Sequence, residues 1–315
     1  MKHYHNKKLP VIYNDQDQEY LPGKGLVAAL DVALELNMPL LLTGEPGTGK
    51  TRFANHVARY FKLGEAIRFD AKTTSTATDL FYVYDALRHY HIVQNQSKGE
   101  EEIDLIAQKI IRFEALGEAA QRATKHNKRS VVLIDEIDKA PRDFPNDLLN
   151  VMEGDYLQFS VPELQETFKI SPELKPIVII TSNSEKSLPE PFLRRCIFYH
   201  IPFPDPESLL EIVKSKLYER RKDTFFQDEL VILIKEFNKI RGLLKQRNAK
   251  VPATAELISW LIILKKAGLS NADFSDLNQE QQQILASSLS IVAKSTEAYQ
   301  YLLEHYKITN PTSVK

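Results

Sequence analysis

The chain has 315 residues, of which 43% are hydrophobic and 26% are charged, a balance that is typical of globular proteins and not of disordered or membrane-embedded ones. Its 41 basic and 42 acidic residues give a formal net charge of −1, so the composition offers no sign of a general affinity for nucleic acid or anionic lipid. The single cysteine, Cys196, excludes an intrachain disulfide and a cysteine-based zinc site, and it predicts a reducing compartment, the cytoplasm.

The first 20 residues are polar and rich in tyrosine, and we interpret them as an N-terminal arm. No apolar segment follows the basic start, and no apolar run approaches the roughly 18 residues of a membrane span, so we expect neither a secretory signal nor contact with a membrane. A helix is predicted next, because Leu26, Leu30 and Leu34 recur at helical spacing. Asn37 and Pro39 are predicted to end it.

Five short apolar runs follow, each bounded by turn residues. Several are apolar on consecutive positions, which is typical of strands covered on both faces, as in a parallel sheet. Helical patterns lie between most of them, which predicts an α/β fold with a five-stranded parallel sheet flanked by helices. The runs are Leu40–Thr43, Ala66–Phe69, Val131–Ile134, Ile177–Thr181 and Ile197–Ile201.

The pattern changes after Phe203, where Pro204 and Pro206 interrupt the chain and helical periodicity continues almost to the end. A smaller all-helical domain, or lid, is therefore predicted after a hinge. The predicted domains are the arm at 1–20, an α/β nucleotide-binding domain at 21–203, and the lid with C-terminal helices at 204–315.

A phosphate-binding loop is predicted between the first strand and the helical stretch that follows it. Residues 44–51 are GEPGTGKT, which satisfies G-x-x-x-x-G-K-[ST] in the strand–loop–helix context that this motif requires. The glycines allow a tight turn that presents backbone N–H groups to a phosphate, Lys50 reaches the β- and γ-phosphates, and the Thr51 hydroxyl binds magnesium. The predicted nucleotide-binding residues are Gly44, Glu45, Pro46, Gly47, Thr48, Gly49, Lys50, Thr51 and Arg52.

Two acids end the third apolar run, VVLIDE at 131–136. Ligands of open α/β sheets bind at the carboxyl ends of the strands. Asp135 is predicted to bind magnesium through water, and Glu136 to orient and partly deprotonate the attacking water. The second acid distinguishes hydrolases with their own base from P-loop kinases, so ATP hydrolysis with Mg²⁺ is the predicted reaction.

A guanine-specific switch is the alternative class of P-loop protein. GTPases recognise guanine with an N-K-x-D motif. Asn-Lys pairs occur at 127–128 and 238–239, but the fourth positions are Ser130 and Arg241. ATP is therefore the predicted nucleotide.

The combination of motifs resembles the AAA+ ATPases, and within them the MoxR-like branch, over residues 21–268. The resemblance is carried by GEPGTGKT and by four longer runs. These are VVLIDEIDKAPRDFPNDLLNVMEGD at 131–155, VIITSN at 178–183, LPEPFLRRCIFYHIPFPD at 188–205 and VPATAELISWL at 251–261.

The resemblance implies roles for residues beyond the two nucleotide motifs. Asn183 matches sensor 1, where an amide contacts the γ-phosphate and holds water in line; the alternative is an asparagine that caps a turn. Arg195 matches the arginine finger that stabilises transition-state charge in the neighbouring subunit. Arg194 is the second choice for the finger, and either arginine could instead form a surface ion pair. Cys196, beside them, is expected to be a buried small hydrophobe and not a catalytic thiol.

A sensor 2 arginine is missing from the predicted start of the lid helix near Pro252, and Lys250 or Arg247 are the candidates to replace it.

Two segments match insertions typical of this branch. Residues 73–93 and 156–175 are each predicted to form a hairpin that either lines a central pore or packs its aromatic residues locally. His89 and His91 alternate in the first, but no acidic or thiol partner stands nearby, so we expect no metal site. The acidic run at 98–104 is expected to be a solvated loop and helix start.

The resemblance implies an oligomeric motor, a hexameric ring, that remodels or activates a protein as a chaperone or metal-cofactor insertase does. It also implies a partner with a von Willebrand factor A domain. The alternative is the AAA+ subunit of a nucleic-acid-processing system, such as a restriction or defence motor. The near-neutral charge argues against that alternative without excluding contact with DNA.

Overall fold

The computed structural model describes residues 20, 22–87, 90, 110–152, 154, 156–183, 188–219, 225–274 and 276–308. It forms two compact units. The first extends to Gly44 and resumes from Gly49 to Ile201, and the second comprises Glu45–Thr48 together with Pro202–Lys315. These units are ranges of packed residues, and the boundaries of the functional domains remain a prediction.

Among its described residues the first unit contains nine strands, and five of its helices have both ends within the described part of the chain. Short 3₁₀ turns at Thr78–Leu80, Ile137–Lys139 and Pro162–Leu164 connect some of them. The strands are β1 Leu40–Gly44, β2 Ile67–Asp70, β3 Tyr82–Tyr84, β4 Ile111–Phe113, β5 Val131–Asp135, β6 Leu157–Val161, β7 Glu166–Ile170, β8 Ile177–Ser182 and β9 Ile197–Ile201. The helices are α1 Lys24–Glu35, α2 Lys50–Tyr60, α3 Ala115–His126, α4 Phe144–Met152 and α5 Glu190–Leu193.

Five strands form one parallel sheet in the order β2-β5-β8-β1-β9. They are the five apolar runs predicted from the sequence, so the predicted sheet is confirmed. The three central strands, β5, β8 and β1, are buried along their whole length, because helices cover both faces. Alternate residues of β1 face opposite sides of the sheet. Leu40 and Leu42 pack with α1 and α2, whereas Leu41 packs in the core with α3 and α4.

Two small antiparallel sheets lie beside the main one. Strands β6 and β7 form the hairpin predicted within 156–175. The prediction for 73–93 was wrong about the pairing, because β3 pairs with β4, which lies beyond that range. The sequence between β3 and β4 is long and polar, so nothing in it indicated so distant a partner. His89, His91 and the run 98–104 lie outside the described residues.

Aromatic side chains join the two small sheets. The ring of Phe159 on β6 lies 4.3 Å from that of Phe81 and 4.9 Å from that of Phe168. The buried Tyr82 donates its hydroxyl to Glu163 at 3.0 Å, whereas Tyr90 is exposed. Most of these aromatic residues therefore pack locally.

Every regular element described in the second unit is a helix, as predicted for the C-terminal region. The core surrounds Trp260, the single tryptophan of the chain, which is fully buried and donates to Ser288 at 3.0 Å. None of the helices in the described part of the chain is long and apolar enough to cross a membrane. The helices are α6 Pro206–Glu219, α7 Gln227–Gln246, α8 Thr254–Lys266, α9 Gln279–Val292 and α10 Thr296–His305.

Candidate nucleotide site

The glycine-rich loop occupies the turn from β1 to α2. Gly47 and Gly49 have φ angles of 79° and 91°, which residues with a Cβ rarely adopt. A Cβ on Gly49 would also lie 2.7 Å from the ring of Tyr20. Thr48 is buried and donates its hydroxyl to the Glu45 carbonyl at 2.8 Å, which closes the turn. The glycines of the motif are thus required by backbone conformation and by close packing.

Lys50 is the first residue of α2. Its side chain is buried, and Nζ donates to the carbonyl oxygen of Gly44 at 2.8 Å. The ammonium therefore lies across the loop at the end of a helix whose free N–H groups favour an anion. The neighbouring Arg52 and Pro46 are exposed. This arrangement is suited to phosphate binding.

Asp135 ends β5 and is 4% exposed. The Thr51 hydroxyl lies 3.2 Å from each of its carboxylate oxygens, Thr181 on β8 donates to Oδ1, and Arg68 Nη2 lies 2.9 Å from Oδ2. A carboxylate beside a hydroxyl gives magnesium the hard oxygen donors that it prefers. The described residues contain no group of three or more His, Cys, Asp or Glu side chains that could hold a metal. The carboxylate of Asp135 and the hydroxyl of Thr51 fit a magnesium ion whose remaining ligands would come from nucleotide phosphates and water.

Glu136 follows immediately, in a left-handed backbone conformation with φ 57°. Its N–H donates to the Thr181 hydroxyl at 2.9 Å, which fixes the main chain. The carboxylate has a different partner on each oxygen: Asn183 Nδ2 donates to Oε1 at 3.0 Å, and Lys139 forms an ion pair with Oε2. A left-handed non-glycine residue costs about 1–3 kcal/mol, so the surrounding contacts must hold Glu136 in this conformation.

A cavity of about 570 Å³ opens beside Glu136. Its walls come from the end of β2 with the residues after it and from Glu136 with the 3₁₀ turn that follows, so it adjoins the second acid of the motif. Water therefore has access to the Glu136 side chain. The lining residues are Arg68, Asp70, Ala71, Lys72, Thr73, Glu136, Asp138 and Lys139.

Asn183 immediately follows β8, next to the strand that carries the two acids. Its backbone N–H donates to Asp138 Oδ1 at 3.2 Å while its amide reaches Glu136. The side chain of Asn183 thus binds Glu136, and its main chain binds Asp138 of the 3₁₀ turn. Lys50, Thr51, Asp135, Glu136 and Asn183 all lie at the carboxyl edge of the parallel sheet, where open α/β folds bind their ligands.

The two candidate finger arginines follow α5 and lie away from this cluster in sequence. Both are exposed. Arg194 forms an ion pair with Glu190 one helical turn earlier, as expected of a surface pair. Cys196 is buried, and burial raises the pKa of its thiol to about 12, so the thiol stays protonated and packs as a small hydrophobe.

Sequence analysis missed four side chains of the site: Thr181, Arg68, Lys139 and Tyr20. Thr181 was visible as a polar residue in an otherwise apolar strand. Arg68 alternates with buried residues on β2, but nothing in the sequence indicated that it reaches Asp135. Tyr20 packs against Phe53 and His56 of α2, and burial raises the pKa of its hydroxyl, as does the nearby Tyr199.

The replacement of the sensor 2 arginine by Lys250 or Arg247 stays a prediction, and within the second unit Arg241 contacts Glu45 of the phosphate loop. Its guanidinium forms an ion pair with Glu45 at 2.7 Å, donates to the Pro252 carbonyl and lies 3.4 Å from the centre of the Phe203 ring. Arg247 instead stacks on Tyr301. Arg241 lies on α7, well before Pro252 in the sequence, so the pattern near Pro252 did not indicate it.

The phosphate loop, the acids on the neighbouring strand and the order of the sheet define a P-loop nucleoside triphosphatase. The family model of the ATPase family associated with various cellular activities (AAA) matches residues 40–204, more than half of the chain. The chain therefore belongs to the AAA ATPases and has their P-loop AAA+ fold and ATPase function.

Among solved structures, the AAA domain of FIGL-1 in complex with ADP is 16% identical, with 96% of this chain and 94% of that chain covered and a TM-score of 0.45. The search of curated proteins returned no significant match.

Proposed function

We propose that this AAA ATPase is a magnesium-dependent, ring-forming motor of the MoxR-like type that remodels or activates a protein partner. The observation that supports the chemistry is the single cluster of Lys50, Thr51, Asp135, Glu136 and Asn183 at the carboxyl edge of the sheet. Each side chain in it has a distinct task in phosphoanhydride hydrolysis, and each is fixed by a neighbouring group.

In this scheme the loop N–H groups and the Lys50 ammonium bind the phosphates of ATP. Thr51 and Asp135 would hold Mg²⁺, which neutralises developing phosphate charge when it is bound. Glu136 accepts a proton from the attacking water through its carboxylate, beside the cavity. Asn183 holds that carboxylate through Oε1 and presents its amide to the water and the γ-phosphate.

The proposed assembly is a homo-oligomeric ring, a hexamer, located in the cytoplasm. Arg195 would complete a neighbouring subunit's site, since it is exposed after α5 and matches the arginine finger in the run LPEPFLRRC. A site completed by a second subunit links hydrolysis to movement between subunits.

Two features favour the MoxR-like assignment. The sequence runs at 178–183 and 188–205 resemble that branch, and the β6–β7 hairpin supports the proposal because it was predicted from a segment that matches one of its insertions. A partner with a von Willebrand factor A domain is part of this proposal. Identifying that partner would distinguish a protein-remodelling ATPase from a nucleic-acid motor.

Two substitutions test the chemistry. Glu136→Gln keeps the shape of the side chain and loses the basic oxygen, so the variant should bind ATP normally and turn it over about 10²-fold more slowly or worse. Lys50→Ala should abolish binding in isothermal titration calorimetry. The matched controls are Glu65→Gln and Lys125→Ala, which alter exposed side chains away from the cluster. Turnover by Glu136→Gln within a few-fold of wild type would exclude it as the base.

A third measurement tests the substrate class. Binding of a double-stranded oligonucleotide, followed by fluorescence anisotropy over a salt series, should be weak at physiological salt. Tight binding with a steep salt dependence would favour the nucleic-acid motor instead.

A further inference from the structure

We propose that Arg68 is the counter-ion of Asp135 and that its guanidinium competes with nucleotide-bound magnesium for this carboxylate. The inference rests on the proposed function, because it assumes that Asp135 serves magnesium. It assigns to Arg68 the role of a positioning residue that sets the metal affinity of the site.

The first step is the burial of Asp135. A buried carboxylate without a compensating charge is strongly destabilising, because it loses its hydration. Hydroxyl groups of Thr51 and Thr181 donate to Asp135 but carry no charge. The guanidinium of Arg68, with Nη2 at 2.9 Å from Oδ2, supplies the positive charge.

The second step is that Arg68 has another partner. Arg68 and Asp70 are both exposed positions of the alternating strand β2. Arg68 Nε lies 2.8 Å from Asp70 Oδ1, and Nη2 lies 2.6 Å from the same oxygen. If Arg68 lost its contact with Asp135, the guanidinium would therefore stay paired with Asp70. It would also be partly hydrated, since about half of the Arg68 side chain is exposed.

The third step is the alignment of the three charges. Asp70 on β2 lies directly opposite Asp135 in the parallel pairing with β5. The Arg68 guanidinium therefore pairs with two adjacent carboxylates. A divalent cation held by Asp135 and Thr51 would repel that guanidinium and compete for the same oxygen. The metal and Arg68 are therefore alternatives for Asp135, and the negative charge of the nucleotide phosphates shifts the competition toward the metal.

Three consequences are measurable. Arg68→Gln removes the competitor, so the affinity for Mn²⁺, used as a probe together with a non-hydrolysable ATP analogue, should rise about tenfold, as expected from losing one charge-assisted hydrogen bond. Asp70→Asn removes the second partner of Arg68, so the same affinity should fall. Arg68→Lys keeps the charge and should remain within about threefold of wild type.

Electron paramagnetic resonance of free Mn²⁺ gives these affinities without any need for turnover. Arg112→Gln is the matched control, because this exposed arginine also pairs with a nearby acid in the same unit, and it should leave the affinity unchanged. Thermal unfolding gives a second measurement: Arg68→Gln should be less stable than wild type in EDTA, and the difference should shrink with metal and nucleotide.

The two proposals fail in different ways. If the wild type binds nucleotide equally well with and without Mn²⁺, the magnesium-dependent function fails and this inference with it. If the wild type requires the metal but Arg68→Gln binds Mn²⁺ no more tightly, only the role of Arg68 is overturned. A rise in affinity for Asp70→Asn would overturn it independently, even if Arg68→Gln did not fold.

Discussion

At the residue scale, the chemistry of this site depends on how each acid of the VVLIDE motif is held. Asp135 is surrounded by two hydroxyls and a guanidinium, whereas Glu136 contacts an amide and an ammonium beside an open cavity. The carboxylates of Asp135 and Glu136, although adjacent at the end of one strand, therefore have different environments. A buried, shared carboxylate suits metal binding, and an accessible one suits proton transfer.

Asn183 provides a test of this arrangement. Asn183→Ala removes the donor to Glu136 Oε1, so turnover should fall by about 10²-fold or more, as for the loss of one positioned donor in other hydrolases. Nucleotide affinity should change little, because Lys50 and the loop remain. Steady-state turnover and calorimetric binding, compared with the exposed Asn271→Ala, check both points. Unchanged turnover with lowered stability would mean that Asn183 only caps its turn.

At the element scale, the parallel sheet brings together residues that are distant in sequence. Parallel strands end at one edge, so the residues after β1, β5 and β8 meet there although more than 130 residues separate the first from the last. Strand β8 lies beside β5 in the sheet, so the Thr181 hydroxyl can contact both acids at the end of β5. The site is thus a consequence of strand order.

A second element, the start of α7, predicts a pH dependence. Glu229 is buried near this helix terminus and accepts from Lys265 at 2.8 Å, from Ser270 at 2.7 Å and from the Phe226 N–H at 2.8 Å. Burial alone would raise the pKa of Glu229, but the Lys265 and Ser270 hydrogen bonds, the Phe226 N–H and the charge of Lys265 together lower it to about 2.

Because the folded pKa lies below the ordinary value of 4.5, the stabilisation is present above about pH 4.5 and is lost as the pH falls toward 2. Glu229→Gln should therefore cost about 3 kcal/mol or more near neutral pH and progressively less in acid. Fluorescence of the single tryptophan, Trp260, reports on this unit. Glu304→Gln, at an exposed position, is the control. A loss of unfolding free energy for Glu229→Gln that did not vary with pH would contradict the ion-pair explanation.

At the scale of the whole molecule, the proposed ring makes a prediction about complementation. Arg195→Ala and Lys50→Ala proteins should each be inactive alone, since a finger contributes about 10³-fold or more in rate. Mixed together, some interfaces would combine an intact phosphate loop with an intact finger, so part of the activity should return. Arg194→Ala, which removes the arginine paired with Glu190, should remain active.

Two results would contradict the role of Arg195 across subunits. Wild-type turnover by Arg195→Ala would mean that the finger is Arg194 or that the site has no arginine finger. Specific activity that did not depend on protein concentration, in a sample shown to be monomeric by light scattering, would mean that each site is complete within one chain.

The fold class and the motifs of the predicted nucleotide site can be read from the sequence alone, because both depend on local patterns. The five apolar runs have the lengths of buried strands, and GEPGTGKT requires its glycines at fixed positions for reasons of backbone conformation alone. The partners of these groups become apparent only in the folded chain. Arg68 reaches Asp135 from another strand, β3 pairs with the distant β4, and Arg241 approaches Glu45 from α7. Such contacts arise from strand order and packing between segments far apart in the chain, and no periodicity or spacing within a single segment encodes them.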